Sequence, residues 1–453
     1  MSLANNQPGE AIQRGNSLIK EGKFEEAIAL LSPVAFAQPK SMEVHGALGN
    51  AYAMSGNWPQ AIAAFRRTVE LAPRFATAHY ALGSALAHHG DVNEALLYFR
   101  NADRLGFPNI HCDLGVALAK LGDYRAAGVE LRKAIEAKSD NATAHFNLAL
   151  ILLLEGNFKE GLDEYEWRIV CDDFKGKIRK VDRPAWRGED LRGKSILVHD
   201  EQGFGDAILF ARYLPLLAAT GARVILLCQK PLAALMRGIV GVQHIFSDGD
   251  PCPNVDFQIP IGSLPRAFGT TVATIPGPAP YLHADPARIA AWAGRLRPRS
   301  DKLRVGLAWR GNAMPAAARS IDPQLLAPLL ALPGVEFHSV QKDSDTPPPA
   351  GVLDHSGELS DFAETAALIA NLDQVISIDT AVSHLSAALG RETWMMLYHA
   401  ADWRWLRGRR DSPWFPTMRL YRQAQPGQWP PVIAAIAADL AASLAAMARM
   451  KAS

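Results

Sequence analysis

The sequence predicts an all-α repeat array followed by an α/β part built on parallel sheets, and two observations support this fold class. A glycine-centred motif recurs about every 34 residues through the first third of the chain. After about residue 175, short apolar runs alternate with helix-like segments. With 453 residues, of which 49% are hydrophobic and 21% charged, the chain is long enough for two or three domains with separate cores.

Five copies of one motif define the repeat array. Their glycines are spaced by 34, 34, 32 and 34 residues, and a small residue follows five positions after each glycine. Because small residues let helices approach closely, each copy predicts a helix, a turn and a second helix. This layout resembles the tetratricopeptide repeat, and five units would form a superhelix over residues 8–174. The turn glycines are Gly22, Gly56, Gly90, Gly122 and Gly156.

The first helix of each repeat lines the inner face of the predicted superhelix, which is the expected binding face for a partner. Asn16 and Asn50 occupy the same inner-face position in the first two units, where an amide could hydrogen-bond the backbone of a protein or peptide acceptor. The alternative is that the two asparagines coincide by accident. Ser84, Val116 and Leu150 follow at this position, so the later groove is more apolar.

The second part of the chain predicts two Rossmann-like domains. A charged, proline-containing stretch at 175–193 reads as a linker, and the segment "RLRPRSDK" separates two sets of apolar runs. Runs such as "SILV", "ARVILLC", "RVGLAW" and "QVISID" have the length of buried strands and alternate with helices, as in βαβ units. The predicted domains span 194–294 and 301–425, and a final helix covers 427–450.

Composition excludes several classes of protein. A net charge of +1 gives no electrostatic footprint for nucleic acid. The four cysteines lack metal-ligand or disulfide spacing and read as core residues in a reducing compartment. The N-terminus lacks the regions of a signal peptide, and we expect the alanine-rich final helix, which contains Asp439, to fall short of a membrane span and to pack across both domains. A soluble cytoplasmic protein without a transmembrane segment is the expectation.

Two turns carry the candidate chemistry. In "EQGFGDAILF", Gly203, Gly205 and Asp206 stand where a strand ends and a helix begins. Glycine permits close backbone approach and an acid suits the positive end of the helix, so this turn either caps the helix or holds a ligand.

The second turn lies in "QVISIDTAVSHLSAALG", where Asp379 ends a strand and Thr380, Ala381 and His384 begin a helix. Backbone N–H groups at a helix start suit a diphosphate, and a carboxylate accepts hydrogen bonds from hydroxyls. The alternative is an ordinary helix cap.

Taken in order, these turns and the segments "VGLAWRGN", "RSI", "FHSVQKD" and "DWRWLRGRRDSPWFPTMRLYRQ" resemble bacterial tetratricopeptide-linked glycosyltransferases. The catalytic half of these proteins is related to the heptosyltransferases of glycosyltransferase family 9. The resemblance implies the GT-B fold, a nucleotide-sugar donor bound mainly by the C-terminal domain, and no cofactor or obligatory metal.

The resemblance also implies roles for individual residues. Asp206 would be the base that takes the acceptor hydroxyl proton, and Asp379 would meet sugar or ribose hydroxyls. Thr380 and Ala381 would meet the phosphates, and His384 would order their loop. The remaining donor-site residues are Gly203, Gly205, Asn312, Arg319, Ser320 and Gln341.

One departure from the family pattern supports a second hypothesis. Between "GN" and "RS" this chain carries "AMPAAA" at 313–318, where relatives place polar and basic residues. The second hypothesis is therefore a scaffold that binds protein partners and has lost transferase turnover. By analogy the acceptor would be flagellin or another surface protein, with lipopolysaccharide as the alternative.

Three further patterns, two Asp-x-Asp triplets and one cluster of tryptophans and arginines, could be either structural or functional. "DGD" at 248–250 and "DSD" at 343–345 imitate a metal-binding triplet, and we interpret both as loops. The cluster "DWRWLRGRRDSPWF" combines tryptophans with four arginines. Its aromatics read as core and its arginines as solvated, with a share in acceptor or phosphate contact as the alternative.

Overall fold

The computed structural model describes residues 8–452 except 177, 252, 278–279, 312–318 and 343–346. The chain divides into two compact units, Met1–Ile151 and Leu152–Ser453. Helix α9 crosses the division, so the second helix of the last repeat belongs to the second unit.

The repeat helices pair along the chain as the motif predicts. Each turn glycine has a left-handed backbone conformation, with φ between 77° and 107°, which L-residues with a side chain rarely adopt. The repeat helices are α1 Pro8–Lys20, α2 Phe24–Ala37, α3 Met42–Met54, α4 Trp58–Leu71, α5 Ala76–His89, α6 Val92–Arg104, α7 His111–Lys120, α8 Tyr124–Ala137, α9 Ala142–Leu154 and α10 Phe158–Tyr165.

A second set of glycines sets the distance between paired helices. At one position of the first helix in four units, an added Cβ would stand 2.6 to 2.9 Å from a large side chain of the second helix. Glycine therefore lets a bulky residue of one helix pack directly on the backbone of the other. The contacts are Gly15 with Leu31, Gly49 with Phe65, Gly83 with Phe99, and Gly115 with Leu131. The alanines after the turn are fully buried.

The second unit contains two sheets in which every pair of neighbouring strands is parallel. The first sheet has the order β3-β2-β1-β4, and the second has the order β10-β9-β8-β5-β6-β7. Their strands are β1 Ser195–His199, β2 Arg223–Cys228, β3 Val242–Ser247, β4 Phe257–Pro260, β5 Leu303–Ala308, β6 Val335–Ser339, β7 Val352–Leu353, β8 Gln374–Ile378, β9 Glu392–Leu397 and β10 Met418–Arg422. The predicted parallel α/β pattern is confirmed.

Helices connect the strands and cover the sheets. They are α11 Phe204–Phe210, α12 Leu214–Ala219, α13 Lys230–Met236, α14 Leu264–Ala267, α15 Pro286–Arg295, α16 Ala327–Leu330, α17 Phe362–Ala370, α18 Ala381–Ala388 and α19 Trp429–Ala452. In each sheet the strand order reverses next to a central strand. In the first sheet β2 and β3 lie on one side of β1 and β4 on the other, and in the second sheet β6 and β7 lie on one side of β5 and β8, β9 and β10 on the other. In such sheets the crevice beyond the carboxyl ends of the central strands is the usual ligand site.

The final helix, α19, packs its first half into the core of the second sheet. Trp429, Ile433, Ile436 and Leu440 are buried there among strand side chains, and Asp439 accepts a hydrogen bond from Tyr421 at 2.8 Å. Within the described residues, this is one helix that is long and apolar enough to cross a membrane by length and composition. The expectation that its composition falls short is therefore wrong, because alanine makes the helix apolar enough.

A buried ion pair holds the loop that follows β1. Arg168, in the short 3-10 turn after α10, donates to both carboxylate oxygens of Glu201 at 2.8 and 2.9 Å, and both side chains are almost completely buried. The same guanidinium donates to Ser263 at 2.7 Å, and the N–H of Gly262 donates to Glu201 at 2.8 Å. This network fixes the chain directly before the Gly203–Asp206 turn.

We predict that Arg168→Met destabilises the second unit strongly. The substitution leaves Glu201 buried without its cation, a change that costs about 3–5 kcal/mol and would lower Tm by roughly 10 °C. Calorimetry of the intact chain measures the shift. Arg192→Met is the matched control, because Arg192 and its partner Asp190 are exposed, and its Tm should not change. Equal shifts in the two variants would contradict the role of the pair.

Candidate functional site

A cavity of about 640 Å³ lies at the carboxyl ends of strands from both sheets. Its walls come from the segments after β1, β5, β6, β8 and β9, together with the start of α17. The lining includes nine of the predicted site residues: Gly203, Gly205, Asp206, Arg319, Gln341, Asp379, Thr380, Ala381 and His384. The two turns singled out in the sequence therefore open into one cavity.

The turn after β1 both caps a helix and presents a carboxylate to the cavity. All five residues of β1 are buried, and α11 begins directly after Gly203. Asp206 lies in the first turn of α11, where one carboxylate oxygen accepts the N–H of Gly203 at 3.2 Å. The other oxygen forms an ion pair with Arg404.

The surroundings of Asp206 raise the pKa of its carboxyl group. Burial raises this pKa most, and the charge of Arg404 lowers it. Asp402 raises it again, while His384 lowers it. The net effect is a carboxylate that holds a proton more tightly than an exposed aspartate.

Asp379, at the end of β8, shows the opposite shift. Burial would raise the pKa of its carboxyl group, but His384, Arg319 and Trp405 outweigh burial and lower it. Trp405 donates its indole N–H to Asp379 at 2.9 Å, and nitrogens of Arg319 and His384 lie 3.6 Å from its carboxylate oxygens. The carboxylate is therefore ionised at neutral pH and held by three side chains.

Helix α18 begins at the cavity wall. The hydroxyl of Ser383 accepts the N–H of Thr380 at 3.3 Å and donates to the Thr380 carbonyl at 2.7 Å, which fixes the first turn. Ala381 and Val382 supply the first N–H groups of the helix, which have no acceptor inside it. A helix start of this kind attracts anions, because its partial charge is positive.

His384 links the two turns. Its ring packs against Trp405 with centroids 5.2 Å apart, and its Nδ1 is buried without a hydrogen-bond partner in the described part of the chain. A Cβ on Gly205 would lie 3.1 Å from the His384 ring and 3.7 Å from the Cα of Ala381. Gly205 therefore permits α11 and α18 to pack against each other.

The other predicted donor residues have mixed placements. Arg319 lines the cavity and donates to the carbonyl of Asp379 at 3.3 Å. Gln341 lines it too, but its side-chain oxygen accepts the N–H groups of Trp309 and Arg310 at 3.2 and 2.9 Å. Ser320 is not among the lining residues, and its hydroxyl accepts the N–H of Gly311 at 3.1 Å.

Some predicted residues lie elsewhere. Asn16 and Asn50 are exposed on α1 and α3 of the repeat unit. Asn312, the "AMPAAA" stretch and the "DSD" triplet lie outside the described residues. "DGD" lies in the turn after β3, where Asp248 forms an ion pair with Arg179. Among the described residues, no group of three or more His, Cys, Asp or Glu side chains is arranged to hold a metal ion.

Sequence reasoning missed several lining residues. Arg404 and Asp402 come from the "DWRWL" segment, whose Trp403 and Trp405 are buried as predicted. Only 6% of the surface of Arg404 is exposed. The expectation that the arginines of this cluster are solvated is therefore wrong for Arg404. Its position between two buried tryptophans was the available signal. Arg310, Lys342, Asp361 and Thr365 also line the cavity.

We predict that Gly205→Ala destabilises the second unit whereas Gly203→Ala does not. The new methyl group at 205 forces the His384 ring or α18 to shift, and overpacking of this kind costs about 1–3 kcal/mol. At 203 the nearest atom would be 3.7 Å away, and φ there is −81°, so alanine fits. Thermal unfolding of both variants measures the difference. A Tm for Gly205→Ala equal to that of the wild type would contradict the close approach.

Both parts of the chain match models of known protein families. Residues 12–73, 47–106 and 112–169 match the model for tetratricopeptide repeats. Residues 357–404 match the model for glycosyltransferase family 9 (heptosyltransferase), a segment that contains the Asp379–His384 turn together with Asp402 and Arg404.

Protein FlbA of Caulobacter vibrioides is 30% identical over 358 residues, which cover 72% of this chain. The chain spans 59% of the length of that relative. Among solved structures, MamA is 24% identical over 36% of this chain and 96% of its own, with a TM-score of 0.33. YrrB, a tetratricopeptide-repeat protein, is 20% identical over 36% of this chain and 85% of its own, with a TM-score of 0.32.

The repeat assignment rests on the family match and on the helix pairs with their left-handed turn glycines. The family 9 match includes β8, the turn after it and α18, and this turn and the first residues of α18 line the cavity. The chain therefore carries tetratricopeptide repeats and, in its second unit, a segment similar to glycosyltransferase family 9.

Proposed function

We propose that this chain transfers a glycosyl group from a nucleotide-sugar donor to a hydroxyl of an acceptor, with its two sheets in the GT-B arrangement. One observation carries the proposal: the turns after β1 and β8 line the same cavity, with Asp206 on one and Asp379 on the other. Ligands of parallel α/β sheets bind at such strand ends. A transfer reaction needs a base and a binding site for the leaving group within one enclosure.

In this proposal the donor lies along α18. The N–H groups of Ala381 and Val382 face the diphosphate, and Arg319 and Lys342, which line the same cavity, supply positive charge as the leaving group departs. Asp379, kept ionised by its surroundings, accepts hydrogen bonds from sugar or ribose hydroxyls. The arginine and lysine side chains take the part that a metal ion has in other transferases, so we propose that no metal and no cofactor is required.

Asp206 is the proposed general base. Its raised pKa makes it a stronger proton acceptor than an exposed aspartate. It would take the proton of the acceptor hydroxyl as that oxygen attacks the anomeric carbon. The bond between that carbon and the diphosphate oxygen breaks, and the nucleoside diphosphate leaves.

The repeat unit is the proposed acceptor-binding part. Tetratricopeptide arrays bind extended protein segments on the face lined by the first helix of each pair, and Asn16 and Asn50 are exposed on that helix. A protein acceptor in the cytoplasm fits this arrangement. The second candidate function is a protein-binding scaffold without turnover, favoured by the alanine-rich sequence at 313–318.

We predict that one nucleotide raises the Tm of the intact protein by several degrees in a panel of UDP, GDP, ADP, CMP and their sugars. Ligand that binds the folded state alone stabilises it in proportion to the logarithm of concentration over Kd. The shift should disappear in Asp379→Asn and shrink in Arg319→Gln. The Arg319 side chain is 36% exposed, so this variant should fold normally. No shift with any member of the panel would favour the scaffold.

We predict that Asp206→Asn abolishes transfer while the nucleotide-induced Tm shift is retained. Loss of a general base lowers the rate by about 10²–10⁴-fold. In the wild type, log kcat/KM should rise with pH through the raised pKa of Asp206 and become level above it, since the ionised form is active. Transfer by Asp206→Asn at the wild-type rate would refute this assignment.

A further inference from the structure

The residues around Asp206 form a chain of three charges that ends on the cavity wall. Arg404 pairs through Nη2 with Asp206 and donates through Nη1 to Asp402 at 2.6 Å. The backbone N–H of Arg404 also donates to Asp402, at 3.0 Å. One guanidinium therefore joins the two carboxylates, and all three side chains line the cavity.

Packing holds Arg404 in place. Its guanidinium carbon lies 4.7 Å from the ring centroid of Trp403 and 5.5 Å from that of Phe210. Its Nε is buried and has no hydrogen-bond partner among the described residues. A guanidinium stacked on an aromatic face and joined to two carboxylates has little freedom to rotate.

This arrangement fixes both oxygens of Asp206. Oδ1 receives Arg404, and Oδ2 receives the N–H of Gly203 at 3.2 Å. Each carboxylate oxygen has two lone pairs, so a lone pair remains for an incoming proton while the orientation of the group is set. A base that is oriented before the acceptor arrives avoids the entropy cost of being positioned during the reaction.

An arginine beside a base also weakens it, and Asp402 counters that effect. A single positive charge next to Asp206 stabilises its ionised form, whereas a second carboxylate on the same arginine offsets this charge. Within the described part of the chain, the further titratable groups that interact with Asp206 are His384, from α18, and Tyr165, at the end of α10. Asp402 is thus the negative charge that balances Arg404 at this site.

We propose that Arg404 and Asp402 are positioning residues for Asp206, in which Arg404 orients the carboxylate and Asp402 balances the charge of Arg404 so that Asp206 still accepts a proton. This inference rests on the proposed function of the same cavity. It assigns the "DWRWL" segment a role in catalysis beyond its packing.

Opposite pH shifts test the proposal. Asp402→Asn removes a negative charge and should move the acid limb of the kcat/KM profile to lower pH, whereas Arg404→Gln should move it to higher pH. Both should lower kcat at least about tenfold, since the base is less well oriented. Arg404→Lys keeps the charge and should return the limb toward its wild-type position without restoring kcat.

The ion pair of Arg409 and Asp411, in the same loop but outside the cavity lining, is the matched control, and its Asp411 side chain is 71% exposed. Arg409→Gln and Asp411→Asn should leave both the limb and kcat unchanged. A limb that stays in place in Arg404→Gln and Asp402→Asn while their Tm falls would overturn the proposal in favour of a structural pair. Turnover lost in Asp402→Asn but retained in Asp206→Asn would overturn it too, because Asp402 would then be the base.

A second measurement needs no substrate. The unfolding free energies of the wild type and of Asp206→Asn are measured as a function of pH. The difference between them reports the titration of Asp206. Because the folded-state pKa is raised, this stability contribution is present below the unfolded pKa and is lost as pH rises through the folded value. In the Asp402→Asn background the loss should be complete at lower pH, and in the Arg404→Gln background at higher pH. Failure of every donor to support transfer would refute the proposed function but not this coupling. The coupling of the three residues would be refuted if Asp206 titrated at the same pH in the wild-type, Asp402→Asn and Arg404→Gln backgrounds.

Discussion

The candidate site depends on the close approach of two helices, α11 and α18. Their contact is made at Gly205, where a side chain would meet the His384 ring. Because no side chain separates them, the turn after β1 and the turn after β8 line one cavity, and Asp206 and Asp379 enter it from different sheets. A side chain at this single position would require the His384 ring or α18 to move.

Two aspartates in one cavity have opposite properties because their neighbours differ. Both side chains are largely buried, with 21% of Asp206 and 9% of Asp379 exposed, and burial by itself favours the protonated form. At Asp379, a histidine, an arginine and an indole N–H outweigh this effect and lower the pKa. At Asp206, the arginine is shared with Asp402, and the pKa stays raised. Environments that push paired acids apart in this way are typical of sites where one acid binds and the other moves a proton.

Much of the remaining structure determines where those turns lie. The Arg168–Glu201 pair fixes the loop before α11 from the turn after α10, so the last repeat helix is linked to the end of β1 inside the second unit. The aromatic side chains of Trp403, Trp405 and Trp414 surround the loop that carries Arg404. In the repeat unit the same principle operates through glycine, since bulky side chains pack directly on the backbone of the partner helix.

The sequence by itself determined the repeat period, the turn glycines and the parallel βαβ pattern, because these depend on local spacing and apolar periodicity. It missed three edge strands, β3, β7 and β10, since they are short, or alternate polar with apolar residues, or lack a fully buried run.

The sequence also indicated Asp206 and the Asp379–His384 turn, since each follows a strand at a helix start. Only the tertiary structure decided that these turns share a cavity, that Arg404 lies buried between Asp206 and Asp402, and that Gln341 supports the backbone after β5. These contacts join residues up to 198 positions apart, and no local pattern encodes a distance set by the packing of two sheets.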